Sequence, residues 1–402
     1  MRPSSIIFVS VLTVYMALGV LNPLLAPMVR ALDLSETQGG LILTVAALLF
    51  SLSSPFWGPR TERFGRKTIF LVGLLGFSIG YWCFALAVEF GTSGVITPLV
   101  AFICMLITRG IAGFLMSAVP VSAQAYIAAN TSGSERTAGI ALLSSANALG
   151  FIIGPALGAG LAMVSLTAPL YAAAALPLVA ALLVATQLRR TGIRVEAATP
   201  PRLSLRDARI WPWLAVGFIM IMCLVSMQAT AGFLFQDRLG LTTQATAQMQ
   251  GVALVILGLT NISLQFGVIR RLRVPPLRLL RIGLPIGMLG LAALALAHSF
   301  TALLASFVVA GAGIGLALPG LNAAVTLEVE PQEQGSTAGL STMSLGMGAM
   351  AGPLIATSMY QLQSELPYFF TAVLLGLIAL AAWLHPRLAR VEQLATRRVV
   401  TP

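Results

Sequence analysis

The amino-acid sequence predicts an all-α membrane protein in which twelve transmembrane helices form two pseudo-symmetric six-helix bundles. Three observations lead to this fold class: the composition of the chain, the number of its apolar blocks, and a sequence repeat between its halves. Of the 402 residues, 57% are hydrophobic and only 9% are charged, whereas soluble domains carry about 25% charged residues. This small number of charges cannot cover the surfaces of several soluble domains. The composition therefore indicates that the chain lies in lipid.

Twelve apolar blocks follow one another, and each supplies the roughly 20 residues that a helix needs to cross the hydrocarbon core. A helix satisfies its own backbone hydrogen bonds, which lipid cannot do for an isolated strand or loop. The first block, from about Ile6 to Val29, exceeds the roughly 7–15 apolar residues of a signal peptide and is predicted to be retained. The blocks are centred near residues 18, 48, 78, 110, 149, 177, 222, 257, 288, 313, 348 and 375.

The basic residues predict the topology. If the N-terminus lies in the cytoplasm and the chain alternates, 21 of the 24 Lys and Arg residues fall in cytoplasmic segments. Arg30 and Arg238 fall on the other side, and Arg109 falls within a span. This asymmetry obeys the positive-inside rule, so we expect a multi-pass protein of the inner (cytoplasmic) membrane with both termini cytoplasmic.

The longest basic gap, residues 189–209, contains Pro200 and Pro201 and is predicted to be a cytoplasmic linker. It separates a first six-helix bundle, residues 1–188, from a second, residues 210–402. The halves share a pattern: Thr137-Ala138-Gly139 precedes Gly154-Pro155, and Thr337-Ala338-Gly339 precedes Gly352-Pro353. A parallel repeat of this kind predicts a substrate site between the two bundles near mid-membrane.

Composition also excludes several function classes. The basic residues lie in short gaps between apolar blocks, so the net charge of +11 does not indicate a nucleic-acid-binding surface. The three cysteines lie in apolar blocks without metal-site spacing, and the two histidines form no cluster. We therefore expect no enzyme activity, no metal and no cofactor. The expected partners are a small-molecule substrate and the lipid bilayer, and we expect a monomer.

Three motifs resemble those of the major facilitator superfamily. Residues 58–67, GPRTERFGRK, resemble its loop between the second and third spans, and Arg109-Gly110 resembles the buried arginine motif of its drug–proton antiporters. Residues 150–158, GFIIGPALG, resemble the fifth-span antiporter motif, which is associated in that family with export. The resemblance implies a gating loop, in which the acid contacts the start of the eleventh span, near Gly335 to Ala338. The gating residues are Gly58, Glu62, Arg63, Gly65, Arg66 and Lys67, and the antiporter-motif residues are Gly150, Gly154, Pro155 and Gly158.

Arg109 is the only charged residue deep within a span. It lies about 16 Å along a helix that begins near Pro98, at 1.5 Å per residue, and a charge at that depth is expected to face a polar cavity. A purely structural role, in which it binds backbone carbonyls, is the alternative. All thirteen acidic residues lie in loops or at span ends, whereas many drug–proton antiporters carry a membrane-embedded acid. A cavity with Arg109 and no acid favours anionic, zwitterionic or neutral substrates.

Two further sets of residues complete the predicted site. Amides can orient a ligand by hydrogen bonds, or they can bond a neighbouring helix instead. The predicted substrate-binding and coupling residues are Arg109, Asn22, Asn147, Gln228, Asn261, Tyr15 and Met227. A proton site would have to be an acid at a span boundary, and the candidates are Glu135, Asp237 and Glu328.

The resemblance to drug–proton antiporters implies a secondary active transporter that exports amphiphilic drugs or toxic small molecules by alternating access, in exchange for protons and driven by a proton gradient. A dedicated exporter of one metabolite, such as a siderophore, a sugar or an amino-acid derivative, is the alternative. A signalling or scaffold protein that kept the fold without transport is a third hypothesis, and the loop motif and Arg109 argue against it.

Overall fold

The computed structural model describes residues 3–131, 133–188, 204, 206–265, 267, 274–330 and 333–384. Within these ranges the chain forms twelve long helical segments and no strand. Each predicted block centre lies inside one of the segments, in order, so the fold class is confirmed. The segments are α1 (Pro3–Ala31), α2 (Glu36–Phe64), α3 (Arg66–Thr92), α4 (Pro98–Asn130), α5 (Gly133–Leu161), α6 (Ala168–Gln187), α7 (Trp211–Leu239), α8 (Thr243–Leu264), α9 (Pro276–Leu296), α10 (Phe300–Leu327), α11 (Gln334–Leu362) and α12 (Leu366–Leu384).

Eleven of these described segments are long and apolar enough to cross a membrane, judged by length and composition. The exception is α11, in which glycine, serine and threonine occupy many positions of a 29-residue helix. Small and hydroxyl residues lower the hydropathy of a helix but allow close contact with neighbouring helices. The residues that lower the hydropathy of α11 are therefore the ones that allow it to pack closely on a neighbouring helix.

Local signals fix several helix starts. Ser35 begins α2 with a capping box, because its hydroxyl accepts from the Gln38 N–H while the Gln38 side chain accepts from the Ser35 N–H. Thr97 accepts from the Val100 N–H, and Pro98 follows it as the first helical residue of α4. This agrees with the predicted start of the helix that carries Arg109.

Two segments are interrupted near prolines. In α1, residues Asn22–Leu24 form a turn of 3₁₀ helix between Pro3–Leu21 and Leu25–Ala31. In α4, the helix ends at Met116 and resumes at Ala118, two residues before Pro120. The Phe114 carbonyl at this break accepts from Ser53, Trp57 and Ser117. Side chains of α2 and α4 thus replace the backbone bonds that a break in the helix removes.

The chain divides into two compact units. Unit 1 consists of residues up to Ala197 together with Ala231–Val255, and unit 2 consists of Ala198–Thr230 and the residues from Ile256 onward. The end of α7 and the first half of α8 therefore belong to unit 1. Most of the predicted linker at residues 189–209 lies outside the described residues, and the predicted bundle boundaries stay a prediction.

Each unit shows the same pattern of helix packing. In unit 1, α1 packs on α5 and α6, and α3 packs on α4 and α6. In unit 2, α9 packs on α10 and α12, and glycines of α11 contact the backbone of α7. The pairs α1–α5 and α7–α11 occupy equivalent places in the two sets of six helices, as the sequence repeat implies.

Candidate functional site

Arg109 lies in the interior of unit 1, on the first part of α4. The residue is only 4% exposed. Its guanidinium carbon lies 4.9 Å from the centre of the Tyr81 ring on α3, and the Tyr81 hydroxyl donates to the Ala17 carbonyl on α1 over 3.0 Å. Helices α1, α3 and α4 therefore meet around this side chain.

The Arg109 guanidinium has donors that are not used. Its Nε and Nη1 atoms are buried and have no hydrogen-bond partner among the described residues. A desolvated cation over an aromatic face gains about 2 kcal/mol, which does not offset the cost of leaving buried donors unsatisfied. An anion or a carbonyl oxygen would satisfy them, so the geometry suits an acceptor-bearing ligand.

The antiporter-motif glycines pack on α1 at backbone distance. A Cβ atom placed on Gly150 would lie 2.6 Å from Tyr15 Cβ, and one on Gly158 would lie 2.6 Å from the Val20 carbonyl oxygen. The contact is reciprocal, because a Cβ on Gly19 would lie 2.9 Å from Cδ of Pro155. The motif is thus a surface without side chains that brings α5 onto α1.

The corresponding glycines of α11 pack on α7 within unit 2. A Cβ atom on Gly348 would lie 3.1 Å from the Met222 N, and one on Gly352 would lie 2.7 Å from the Met222 carbonyl oxygen. Ser226 donates to the Gly352 carbonyl over 3.0 Å. The repeat seen in the sequence is therefore a repeat of one helix contact.

The segment predicted to be a gating loop is mostly helical. Helix α2 continues through Gly58 and Pro59 to Phe64, and α3 begins at Arg66. Gly65 alone joins them, with φ +89° and ψ +139°, a conformation that only glycine adopts readily. The predicted loop was too long, because helix α2 tolerates Pro59 near its end and continues to Phe64.

Side chains of this segment have distinct surroundings. Lys67 donates over 2.7 Å to the Ala185 carbonyl in the last turn of α6, where a cation satisfies carbonyl groups at the helix end. Arg63 lies beside the Phe64 ring, and the Nε of half-buried Arg66 has no partner among the described residues. Glu62 is exposed and forms no ion pair with a described residue. Its predicted contact with Gly335–Ala338 stays a prediction.

The predicted amides and apolar residues divide between the two units. In unit 1, Asn22 is in the 3₁₀ turn of α1, Asn147 is half-buried on α5, and the Tyr15 ring lies 5.7 Å from Phe151. In unit 2, Gln228 is half-buried, and Asn261 accepts a 2.5 Å hydrogen bond from Gln265 Nε2.

Met227 lines an apolar cavity in unit 2. The small cavity lies among α7, α9, α10 and α12, and its lining includes Met220, Cys223, Gly287 and Gly313. No charged residue lines it, so it provides apolar contact and no ion pair. Met227 therefore belongs to unit 2, whereas Arg109 belongs to unit 1.

The predicted proton sites are all at helix ends. Glu135 is exposed in the first turn of α5, and Glu328 follows the last residue of α10. Asp237, near the end of α7, accepts from Arg30 Nη2 over 3.3 Å, and Arg30 also forms a 2.7 Å ion pair with Glu36. Every described carboxylate lies within a few residues of a helix end or between helices, as predicted.

An ion-pair network in unit 2 was not predicted. Arg209, just before α7, forms two hydrogen bonds to Glu333, just before α11, over 2.9 and 3.0 Å, and two more to Asp207. Arg209 holds the pKa of both carboxyl groups below their usual values by hydrogen bonding and charge attraction. The sequence signal, a cation two residues after an acid, is too common to identify such a network.

Known proteins resemble this chain along nearly all of its length. The sequence profile of the family described as Major Facilitator Superfamily matches residues 7–299 and 272–399. Multidrug resistance protein 1 of Bacillus subtilis (strain 168) is 26% identical over 395 residues, which are 95% of this chain and 96% of that protein. Tetracycline resistance protein, class C, of Escherichia coli is 27% identical over 359 residues, which are 85% of this chain and 86% of that protein.

Solved structures show the same fold at low sequence identity. A bacterial homologue of the human lysosomal transporter Spinster, crystallised in an inward-facing and occupied conformation, has a TM-score of 0.77 at 14% identity, covering 96% of each chain. The nucleoside transporter NupG (D323A mutant) has a TM-score of 0.73 at 15% identity, covering 95% of this chain and 99% of that one.

Proposed function

Because the chain belongs to the major facilitator superfamily, and is thus a multi-pass membrane transporter and not an enzyme, we propose that it exports amphiphilic drugs or toxic small molecules. Export proceeds by alternating access in exchange for protons, from a monomer in the inner membrane with cytoplasmic termini. Two relatives are named for resistance to multiple drugs and to tetracycline, which supports export of compounds of this kind.

One structural observation carries the substrate class: the Nε and Nη1 donors of buried Arg109 have no hydrogen-bond partner among the described residues. A buried cation with no carboxylate beside it attracts acceptor-bearing ligands and repels permanent cations. The exported compounds are therefore anionic, zwitterionic or neutral, and their polar group binds Arg109 while apolar side chains contact the remainder of the molecule.

The same observation favours a second candidate, a dedicated exporter of one anionic or zwitterionic metabolite. A positioned arginine can recognise a single carboxylate with geometric specificity. Comparing a strain that lacks the protein with its parent separates the two functions. Sensitivity to several unrelated compounds supports drug export, whereas accumulation of one metabolite without sensitivity supports the dedicated exporter.

Transport into proteoliposomes with an imposed pH gradient tests the main proposal. The probes are tetracycline, which is zwitterionic, and ethidium, which is a permanent cation. We expect tetracycline transport that depends on the gradient, and little ethidium transport. Transport that is unchanged when the gradient is collapsed would contradict proton exchange. Faster transport of ethidium than of tetracycline would contradict the proposed substrate class.

Arg109→Gln is the variant for this assay, because glutamine keeps two N–H donors but has no charge. We expect it to lose most tetracycline transport while retaining wild-type expression. Arg206→Gln is the matched control, since Arg206 is exposed and outside the helices, and it is expected to transport normally. Full tetracycline transport by Arg109→Gln would contradict the assigned role of the arginine.

A further inference from the structure

Glu89 is a carboxylate without a cationic partner among the described residues. It lies near the end of α3, is exposed, and forms no ion pair. One of its oxygens accepts a hydrogen bond from the Tyr171 hydroxyl in the first turn of α6. The described acids Glu36, Asp237, Asp207 and Glu333 pair with arginine instead. The second oxygen of the Glu89 carboxylate is thus available to a ligand.

Tyr171 connects this carboxylate to a second aromatic ring. Its ring centre lies 5.0 Å from that of Trp82, at an interplanar angle of 54°. Trp82 is seven residues before Glu89 on α3, so both lie on the same helix face, two turns apart. Tryptophan and tyrosine are enriched where a membrane protein meets the lipid headgroups, because one end of each side chain is apolar and the other is polar.

The same face of α3 is an exposed apolar stripe. Large apolar side chains recur every three or four residues and are each about 40% exposed or more: Leu75, Ile79, Trp82, Leu86 and Phe90. In a helix that crosses the bilayer, such a stripe contacts acyl chains. The stripe leads directly to the Glu89 carboxylate, so a single lipid molecule can contact both.

We propose that Glu89, Tyr171 and Trp82 form a binding site for a phospholipid with a primary ammonium headgroup. The acyl chains lie along the exposed stripe of α3, and the ammonium group donates to the Glu89 oxygen that Tyr171 does not contact. Tyr171 orients the carboxylate, and the two rings present faces that attract a cation. A free amine in solution would gain the ion pair without the stripe, so the occupant is a lipid.

Headgroup chemistry gives a test that needs no variant. The delipidated full chain in detergent is titrated with phosphatidylethanolamine, its N-methyl and N,N-dimethyl forms, and phosphatidylcholine with identical acyl chains, and bound lipid is counted by native mass spectrometry. We expect phosphatidylethanolamine to bind about two- to five-fold more tightly than phosphatidylcholine, because both headgroups are cations but only the first donates a hydrogen bond, and pairing at an exposed carboxylate contributes little. Affinity should fall with each added methyl group, since each removes a donor. Equal binding across the series overturns the proposal.

Variants identify the residues responsible. Glu89→Gln should reduce the preference for phosphatidylethanolamine to about one-fold, and Tyr171→Phe should weaken it in part. The matched control is Asp33→Asn, which removes an exposed carboxylate from the turn between α1 and α2. Asp33 has φ +54°, which asparagine tolerates, and this variant should keep the full preference. A Glu89→Gln protein with lowered thermal stability but unchanged lipid preference would show that the Tyr171 contact only joins two helices.

Discussion

The guanidinium carbon of Arg109 lies 4.9 Å from the centre of the Tyr81 ring, and Tyr81 in turn donates to the Ala17 carbonyl over 3.0 Å. One aromatic side chain thus connects the buried cation of α4 to the backbone of α1. The ring face gives Arg109 a favourable electrostatic contact. The hydroxyl makes the hydrogen bond to α1, and the ring and the hydroxyl can be removed by different substitutions.

Replacing Tyr81 separates these roles. Tyr81→Phe keeps the ring face and removes one buried hydrogen bond, so we expect a loss of about 1 kcal/mol in the free energy of unfolding. Tyr81→Leu removes the ring and should cost more, with about 2 kcal/mol from the lost cation–π contact alone. Thermal unfolding in detergent shows which of the two variants is less stable. Equal shifts in the two variants would mean that Arg109 does not depend on the ring.

The antiporter motif predicts a steric effect at Gly154. A Cβ on this residue would lie 2.8 Å from the Gly19 Cα, so Gly154→Ala must push α5 away from α1 at a cost of about 1–3 kcal/mol. Gly160→Ala on the same helix is the control, because nothing lies within 4 Å of its added Cβ. Alanine favours a helix over glycine, so the control should be neutral or slightly more stable. The two unfolding temperatures should therefore shift in opposite directions or differ clearly.

Gly65 is predicted to be essential to the junction of α2 and α3. Its φ of +89° with ψ of +139° costs a residue with a Cβ about 1–3 kcal/mol. Gly65→Ala should lower the unfolding temperature, and because the junction sets the direction of α3, it should also lower transport. Gly160→Ala, whose added Cβ would meet nothing within 4 Å, should leave transport unchanged and should not lower the unfolding temperature. A stable and active Gly65→Ala protein would mean that the junction adapts to another conformation.

The Arg209 network predicts an acid-sensitive contribution to stability. Arg209 lowers the pKa of Asp207 and Glu333 in the folded protein. A carboxyl group whose pKa is lowered in the folded protein stabilises the fold. This stabilisation is complete above the ordinary carboxylate pKa range and is lost as the pH falls through the lowered pKa values. Arg209→Gln should therefore unfold at a lower temperature than the wild type at pH 7, and the difference should shrink below about pH 4.

Exposure of this network limits the size of the effect, since solvent screens ion pairs at the surface. Arg206→Gln is the matched control, because its side chain is exposed and forms no ion pair with any described residue. The unfolding temperature of that variant should follow the wild type at every pH. A constant difference between wild type and Arg209→Gln from pH 7 to pH 3 would assign the effect to packing instead of charge.

The fold could be predicted from the sequence because it depends on properties of short, continuous segments of the chain. Apolar length and the distribution of arginines are properties of consecutive residues, and a bilayer imposes both. The burial of Arg109 was predicted for the same reason, since its depth follows from its distance to Pro98. The internal repeat was visible because the glycines of α5 and α11 require the same side-chain-free contact.

The surroundings of each site residue could not be predicted in the same way. Nothing in one sequence indicates which face of α3 meets α4, so Tyr81 was not identified as the neighbour of Arg109. The pairing of Asp237 with Arg30 joins residues 207 positions apart, and no local pattern encodes it. The helical state of Gly58–Phe64 was missed because glycine and proline usually end helices, and here they fall in the final turns.

The 3₁₀ turn at Asn22–Leu24 changes how the outer part of α1 is oriented. A 3₁₀ helix turns about 120° per residue and an α-helix about 100°, so three residues add roughly 60° of rotation. The residues from Leu25 to Ala31 therefore project in directions offset by about one sixth of a turn from those that an unbroken helix would give. A helical wheel drawn through the whole of α1 would therefore misplace Arg30 by about 60° relative to the direction in which it pairs with Glu36 and Asp237.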